Sequence, residues 1–192
     1  MVFNTLRTSR IRVGAAFGLV IGAAWLLGSI ALADNAVVQP LSGGTRTAGV
    51  DDVTLGSLTY SHSSQANTDS MVLTVDDSSG TGEGWNVTVQ SSDFGYSGLY
   101  GGTAIDASSF AITSAGTPSA TAGQTVDGTN GPKVPSSNAT GSLDIARKVL
   151  HADAGYGQGT YNQALDIELL VPGMARAGDY TSSLTVTISA GP

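Results

Sequence analysis

The sequence predicts an all-β protein, an antiparallel immunoglobulin-like β-sandwich that follows an N-terminal signal peptide. The 192 residues include 26 Gly, 23 Ser and 21 Thr but no Cys. Short stretches rich in β-branched residues recur between Gly-, Ser- and Asp-rich turns, and several of them alternate apolar and polar residues. Seven or so such strands, separated by turn signals, are typical of a sandwich.

The N-terminus has the order of an export signal. Three arginines within the first twelve residues precede an uncharged run over 13–33, which ends Ala-Leu-Ala before Asp34. A basic start, an apolar core and a small-x-small site are the features of a cleavable signal. Residues 1–33 are therefore predicted to be a signal peptide. Because the uncharged run is long enough to span a bilayer, an uncleaved membrane anchor is the open alternative.

The composition after residue 33 excludes several classes of protein. All 15 acidic residues but only five of the eight basic residues lie there, so the formal charge of this part is −10. A nucleic-acid-binding protein needs the opposite sign. A chain without Cys cannot form a disulfide, a thiolate metal site or a Cys nucleophile. We expect no nucleic-acid partner and no cofactor.

The first half of the exported part contains three predicted strands. Residues 34–51 show no sustained period and are predicted to be an extended lead-in to a domain over 52–192. Residues 53–60 and 70–76 are rich in strand-forming residues. Residues 85–91 alternate apolar and polar side chains with a period of two, which indicates a half-buried strand.

The Gly-rich segment 76–84 is predicted to make a hairpin of the two strands that flank it. Its glycines at positions 80, 82 and 84 permit positive φ. Asp76, Asp77 and Glu83 supply oxygen ligands of the kind that bind Ca²⁺. Their spacing does not follow the EF-hand order, so a solvated hairpin tip is favoured over a metal site.

Further strands are predicted in the second half. Residues 107–113 form a short strand-like stretch, and 114–141 read as a long surface loop or a weak pair of edge strands. Residues 142–150 fit a strand or a helix, and the strand-rich neighbours favour the strand. Two alternating strands over 161–171 and 180–188 complete the domain.

The sequence contains no pattern that predicts catalysis. It has neither a Gly-x-Ser-x-Gly elbow nor a phosphate-binding Gly-x-x-x-x-Gly-Lys-Ser/Thr loop. His62 and His151 lie in polar contexts and are predicted to be exposed structural residues. We therefore do not expect an enzyme.

Two aromatic residues carry specific predictions. Trp85, the only Trp after residue 33, either packs in the core of the sandwich, which is favoured, or faces outward with its N–H free to bond to a sugar. Tyr180 follows an Ala-Gly-Asp turn and is predicted to be a corner residue whose hydroxyl ties down a nearby loop.

The segments around these two residues resemble the WxL domain family over roughly residues 50–192. Gly-Trp-Asn-Val at 84–87 is similar to the family's proximal Trp-x-Leu motif, and the last strand is similar to its distal Tyr-x-x-x-Leu-Thr-Trp-x-Leu motif. This is a divergent form, because a Val replaces the distal Trp and another replaces the proximal Leu. The motif positions fall on Trp85, Val87, Tyr180, Leu184, Val186 and Ile188.

The resemblance implies a secreted, extracellular domain that attaches non-covalently to the Gram-positive cell wall, with peptidoglycan as the ligand. It makes the six motif residues candidates for ligand binding, and other surface proteins of the same system candidate partners. A negatively charged domain gains nothing from attraction to a polyanionic wall, so aromatic faces and hydrogen bonds are expected to carry binding. The alternative is a structural subunit of a surface fibre or complex assembled by strand pairing.

Overall fold

The computed structural model describes residues 38–192, which include the compact unit Pro40–Pro192. The predicted signal peptide lies outside the described residues. Within them, no helix is both long and apolar enough to cross a membrane. The described residues form a short 3-10 helix, Ala107–Ser109, and the strands β1 Arg46–Val50, β2 Gln65–Asp77, β3 Trp85–Ser91, β4 Gly95–Ser97, β5 Phe110–Ala115, β6 Ser119–Gly123, β7 Gly141–Ser142, β8 Arg147–Ala152, β9 Gly159–Val171, β10 Asp179–Thr181 and β11 Leu184–Ala190.

The strands form two main antiparallel sheets and a small ribbon. The larger sheet has the order β1–β2–β9–β5–β7, and β6 also pairs with β9. The smaller sheet has the order β11–β3–β8, while β4 and β10 form a two-stranded ribbon. Each of these pairings is antiparallel. The predicted all-β antiparallel fold is confirmed.

The hydrophobic core combines the inner faces of both main sheets in one cluster. Removal of this apolar surface from water is the main stabilising term for such a fold. The period of two predicted for β3 and for the middle of β9 is confirmed, because their odd-numbered residues are buried and the residues between them are more exposed. The largest buried side chains include Leu73, Val75, Trp85, Val87, Val89, Leu150, Tyr161, Leu165 and Ile167.

Several predicted elements are confirmed with altered ends. The stretch 70–76 lies within the longer strand β2, and 107–113 divides into the 3-10 helix and the start of β5. The segment 142–150 contains the end of β7, a turn and the first four residues of β8, and no helix. In the long Gly- and Ser-rich stretch 114–141, β6 forms an edge strand whose residues are all exposed.

Two predictions for the segments on either side of β2 are wrong. Residues 53–60 form no strand, because pairing between β1 and β2 stops at Val50 and no described strand continues the ladder with them. The segment 76–84 is not a hairpin: β2 pairs with β1 and β9, whereas β3 pairs with β8 and β11. The inner faces of β2 and β3 are both apolar, so the two strands face each other across the core and the segment crosses between sheets.

The predicted strand 180–188 is also divided, with β10 and β11 separated at Ser182 and Ser183. The hydroxyls of Ser91 and Ser182 lie 2.6 Å apart, and the backbone N–H of Ser92 donates to the carbonyl of Ser183 at 3.0 Å. The break allows β10 to pair with β4 and β11 to pair with β3. The three glycines of the crossover segment do have positive φ, as predicted.

Arg46 on β1 ties down this crossover. Its Nε lies 3.1 Å from Oδ1 of Asp77 and its Nη1 lies 3.2 Å from Oε2 of Glu83. Its Nη2 also donates to the hydroxyl of Thr81. The side chain of Asp77 is completely buried and that of Arg46 is 13% exposed. A buried carboxylate is tolerated only with such partners, so the pair fixes the path between the sheets.

We expect Arg46→Met to destabilise the domain by about 3–5 kcal/mol, because it leaves the buried Asp77 carboxylate without its charged partner. The double variant Arg46→Met with Asp77→Leu is expected to recover much of that loss. Urea unfolding followed by the fluorescence of Trp85 measures both. The exposed Arg176→Met is the matched control, and equal stability of Arg46→Met and this control would contradict the role of the ion pair.

Candidate functional site

Apart from Tyr180 on β10, the residues of the two motifs lie on β3 and β11, which are neighbouring strands of the smaller sheet. In the antiparallel pair of β3 with β11, Val87 lies opposite Ile188 and Val89 lies opposite Val186. The motif residues of β3 are completely buried, while those of β11 are half-buried and pack against the same core. The motif residues of β3 and β11, about a hundred residues apart in the sequence, therefore belong to one ladder.

Trp85 is a core residue. Its side chain is 0% exposed, and its Nε1 donates to the carbonyl of Gly157 at 2.9 Å. The favoured core-packing interpretation is confirmed, and the outward-facing alternative is wrong because the ring has no accessible surface. Gly84 before it has φ +74°, and a Cβ there would lie 2.5 Å from the carbonyl oxygen of Ala152. The Gly of the Gly-Trp pair is needed for this close approach.

Tyr180 is a corner residue, as predicted. Its hydroxyl donates to the carbonyl of Arg176 at 3.0 Å. The ring of Tyr96 lies 5.3 Å from that of Tyr180, and its own hydroxyl donates to the carbonyl of Ala177 at 3.0 Å. Gly178 permits this packing, because a Cβ there would lie 2.6 Å from the Tyr96 ring. The paired tyrosines fix the loop that leads into β10.

A groove of about 1190 Å³ opens beside this loop. One wall is the segment 50–61, which we call the strap, and the other is the segment 175–184. Phe94, Ile105 and Phe110 contribute apolar surface between them. Of the six motif residues, Tyr180 and Leu184 line the groove. The other four, Trp85, Val87, Val186 and Ile188, do not.

The strap is held by packing rather than by a β-ladder. Val53 and Leu55 are half-buried against the core, whereas Leu58 and Tyr60 are 41% and 55% exposed. Within the described residues, the backbone of 51–60 makes no hydrogen bond to another backbone group. The one hydrogen bond to this stretch of backbone among the described residues is donated by the side-chain amide of Asn67 to the carbonyl of Gly56. The strap therefore presents backbone donors and acceptors beside an apolar surface.

The charges that line the groove are mainly negative. Asp51 and Asp52 lie at the start of the strap and Asp179 lies on the opposite wall, while Arg176 is the one basic residue among the lining residues. The sequence patterns did not identify this site, because its residues come from a segment predicted to be a regular strand and from a loop. Only the distal motif residues Tyr180 and Leu184 pointed toward it.

The three metal candidates are already engaged by protein groups. Asp76 accepts hydrogen bonds from the hydroxyls of Ser78 and Thr160, each at 2.7 Å. Asp77 and Glu83 bind the guanidinium of Arg46. The prediction of a solvated tip is wrong for Asp77, which is buried. The described residues contain no group of three side chains placed to hold a metal ion.

The two histidines differ in exposure. His62 is exposed as predicted, with its ring 5.3 Å from that of Tyr60. The prediction is wrong for His151, whose side chain is only 16% exposed because β8 places it against Lys133 and Asp153. Its Nδ1 is buried without a hydrogen-bond partner among the described residues. Burial, followed by the charge of Lys133, lowers the pKa of His151 from its ordinary value of 6.5.

The described residues form a two-sheet antiparallel sandwich with a groove lined by the strap and the segment 175–184. The family model for the WxL domain, described as surface cell wall-binding, matches residues 44–192, and the chain belongs to this family. It is thus a cell-surface domain that associates with the cell wall outside the cell. Comparisons with curated proteins and with solved structures give no significant match.

We expect Trp85→Phe to lower the free energy of unfolding by about 1–3 kcal/mol, because it leaves the buried carbonyl of Gly157 without a donor. The folded fraction should retain wall binding, since the ring is not accessible. Circular dichroism in urea and co-sedimentation with cell walls measure the two properties separately. A variant that is as stable as the wild type yet no longer binds would show that Trp85 contacts the ligand.

The buried imidazole of His151 predicts a pH dependence of stability. Because the folded-state pKa is lowered, the unfolded chain binds this proton more readily. The contribution of the neutral His151 imidazole to the free energy of unfolding is fully present above pH 6.5 and is lost as the pH falls through the lowered folded-state pKa. In urea unfolding between pH 7.5 and 4.5, His151→Gln should flatten this part of the profile and the exposed control His62→Gln should not. Identical profiles for the two variants would contradict the assignment.

Proposed function

We propose that this protein is exported, loses its signal peptide after Ala33, and attaches non-covalently to peptidoglycan through the groove between the strap and the segment 175–184. The observation that carries the proposal is the position of Tyr180 and Leu184. These two residues belong to the family's distal motif and also line the groove. The other motif residues help to build the smaller sheet, whose strand β11 follows the wall 175–184 in the chain.

The chemistry of the groove supports binding through aromatic faces and hydrogen bonds. Tyr60 and Tyr180 offer ring faces with hydroxyl groups, which suit sugars and peptides alike. The strap offers unpaired backbone groups, and the exposed Ser and Thr residues of both walls add further hydrogen-bonding groups. Charge contributes little to attraction toward an anionic wall, so we expect modest affinity at each site. Many copies on one wall would raise the effective affinity.

We propose binding without catalysis. The titratable side chains that line the groove are those of Asp51, Asp52, Tyr60, Arg176, Asp179 and Tyr180. This set contains no histidine and no Cys or Lys nucleophile. The wall-binding description of the family is consistent with a domain that holds its ligand rather than one that cleaves it.

The test is co-sedimentation of the exported protein with purified peptidoglycan sacculi. Tyr60→Ala removes an exposed ring at the groove and is expected to weaken binding about tenfold, as loss of an aromatic anchor does. Tyr100→Ala is the matched control, because Tyr100 is 74% exposed and does not line the groove. Circular dichroism confirms folding of both variants.

Equal retention of the two variants would exclude the groove as the attachment site. If the wild-type protein itself stays in the supernatant, peptidoglycan attachment is wrong. Retention that falls only in Tyr100→Ala would move the site to the loop between β4 and the 3-10 helix.

A further inference from the structure

Each wall of the groove contains backbone without a strand partner in the described part of the chain, over 51–60 in the strap and along one edge of β10 in the facing wall. Within the described residues, β10 pairs with β4 on one side only, and residues 51–60 of the strap have no backbone ladder partner. An unpaired edge presents a row of N–H and C=O groups. The natural complement of such a row is another chain of amides, as in recognition by strand addition. A sugar chain without peptide has far fewer groups in that arrangement.

The strap is already positioned for this role. Val53 and Leu55 anchor it to the core, and the side chain of Asn67 holds the carbonyl of Gly56. Because packing fixes the segment before a ligand arrives, less conformational entropy is lost on binding. The β-type composition that predicted a strand over 53–60 fits a segment that pairs only when a ligand lies beside it.

The charge of the groove selects the type of peptide. Asp51 and Asp52 begin the strap, Asp179 lies on the facing wall, and only Arg176 offsets them among the lining residues. A ligand that carries a positive amine is attracted over roughly the 8 Å screening length at physiological salt. A neutral acetamido sugar gains nothing from this field, and a peptide without an amine is mildly repelled where its carboxylates approach.

We propose that the groove binds the peptide part of the wall polymer in an extended conformation, with a free side-chain amine directed toward Asp51 and Asp52. This inference rests on the proposed peptidoglycan attachment and assigns the peptide, rather than the glycan, as the group recognised. The strap and β10 supply backbone hydrogen bonds, and the two aspartates supply specificity for the amine.

The experiment is displacement of the exported protein from peptidoglycan sacculi by soluble competitors. Both peptide probes are acetylated at L-Ala, because the free tetrapeptide has a second amine there. They are N-acetyl-L-Ala-γ-D-Glu-L-Lys-D-Ala, called the unmodified peptide because its lysine side chain is free, and the same peptide acetylated at the lysine side chain, called the acetylated peptide. The third probe is glycan strands freed of peptide by an amidase. We expect the unmodified peptide to displace the protein. The acetylated peptide should be at least tenfold weaker, and the glycan strands should have no effect at matched disaccharide concentration.

A charge-matched pair of variants tests the residues. Asp51→Asn with Asp52→Asn should lower the affinity for the unmodified peptide about tenfold and leave that for the acetylated peptide unchanged. Asp144→Asn with Asp166→Asn makes the same change in net charge at exposed positions that do not line the groove, and should change neither affinity. Circular dichroism confirms that both double variants fold.

The outcomes separate this inference from the proposed function. Displacement by glycan strands but not by peptide would overturn the inference and leave wall attachment intact. Equal potency of the two peptides, or equal loss in both double variants, would overturn the role of the aspartates. A protein that does not bind sacculi in the first place would overturn the proposed function itself.

Discussion

The ladder between β3 and β11 is the constraint on which the rest of the structure depends. It joins the last strand of the chain to the strand that begins at Trp85, and it places Ile188 opposite Val87. Trp85 then fills the space between the sheets and fixes Gly157 through its indole N–H. Since the same last strand is preceded by β10 and the Tyr180 corner, closing this ladder also positions one wall of the groove.

The motif residues consequently divide into two roles. Trp85 and Val87 have no exposed surface, and Val186 and Ile188 pack against the same core, so they build the sheet. Replacement of the family's distal Trp by Val186 is compatible with this role, because a β-branched residue suits a position on a strand beside Val89. The candidate site lies instead at the end of the sandwich, where Tyr180, Leu184 and the strap meet.

The sequence predicted the parts of the fold that depend on local pattern. The period of two in β3 and β9, the buried Trp85 and the Tyr180 corner all follow from residue type and spacing. The separation of β2 and β3 into different sheets could not be predicted in this way, because a Gly-rich connection is compatible with a hairpin and with a crossover between sheets. The burial of Asp77 depends on Arg46, which lies 31 residues away in the sequence. The composition of 53–60 predicted a strand, but no described strand pairs with this segment in the structure.

Hydrogen–deuterium exchange with and without soluble peptidoglycan fragments tests the central claim most directly, because it reports on individual backbone segments. Amides of residues 51–60 in the strap have no backbone partner in the described residues and should exchange rapidly in the free protein. On binding, new protection is expected in the strap and in 175–184, with little change in the already protected strands β3 and β9. Protection that appears at another surface, with the strap still exchanging rapidly, would contradict the account.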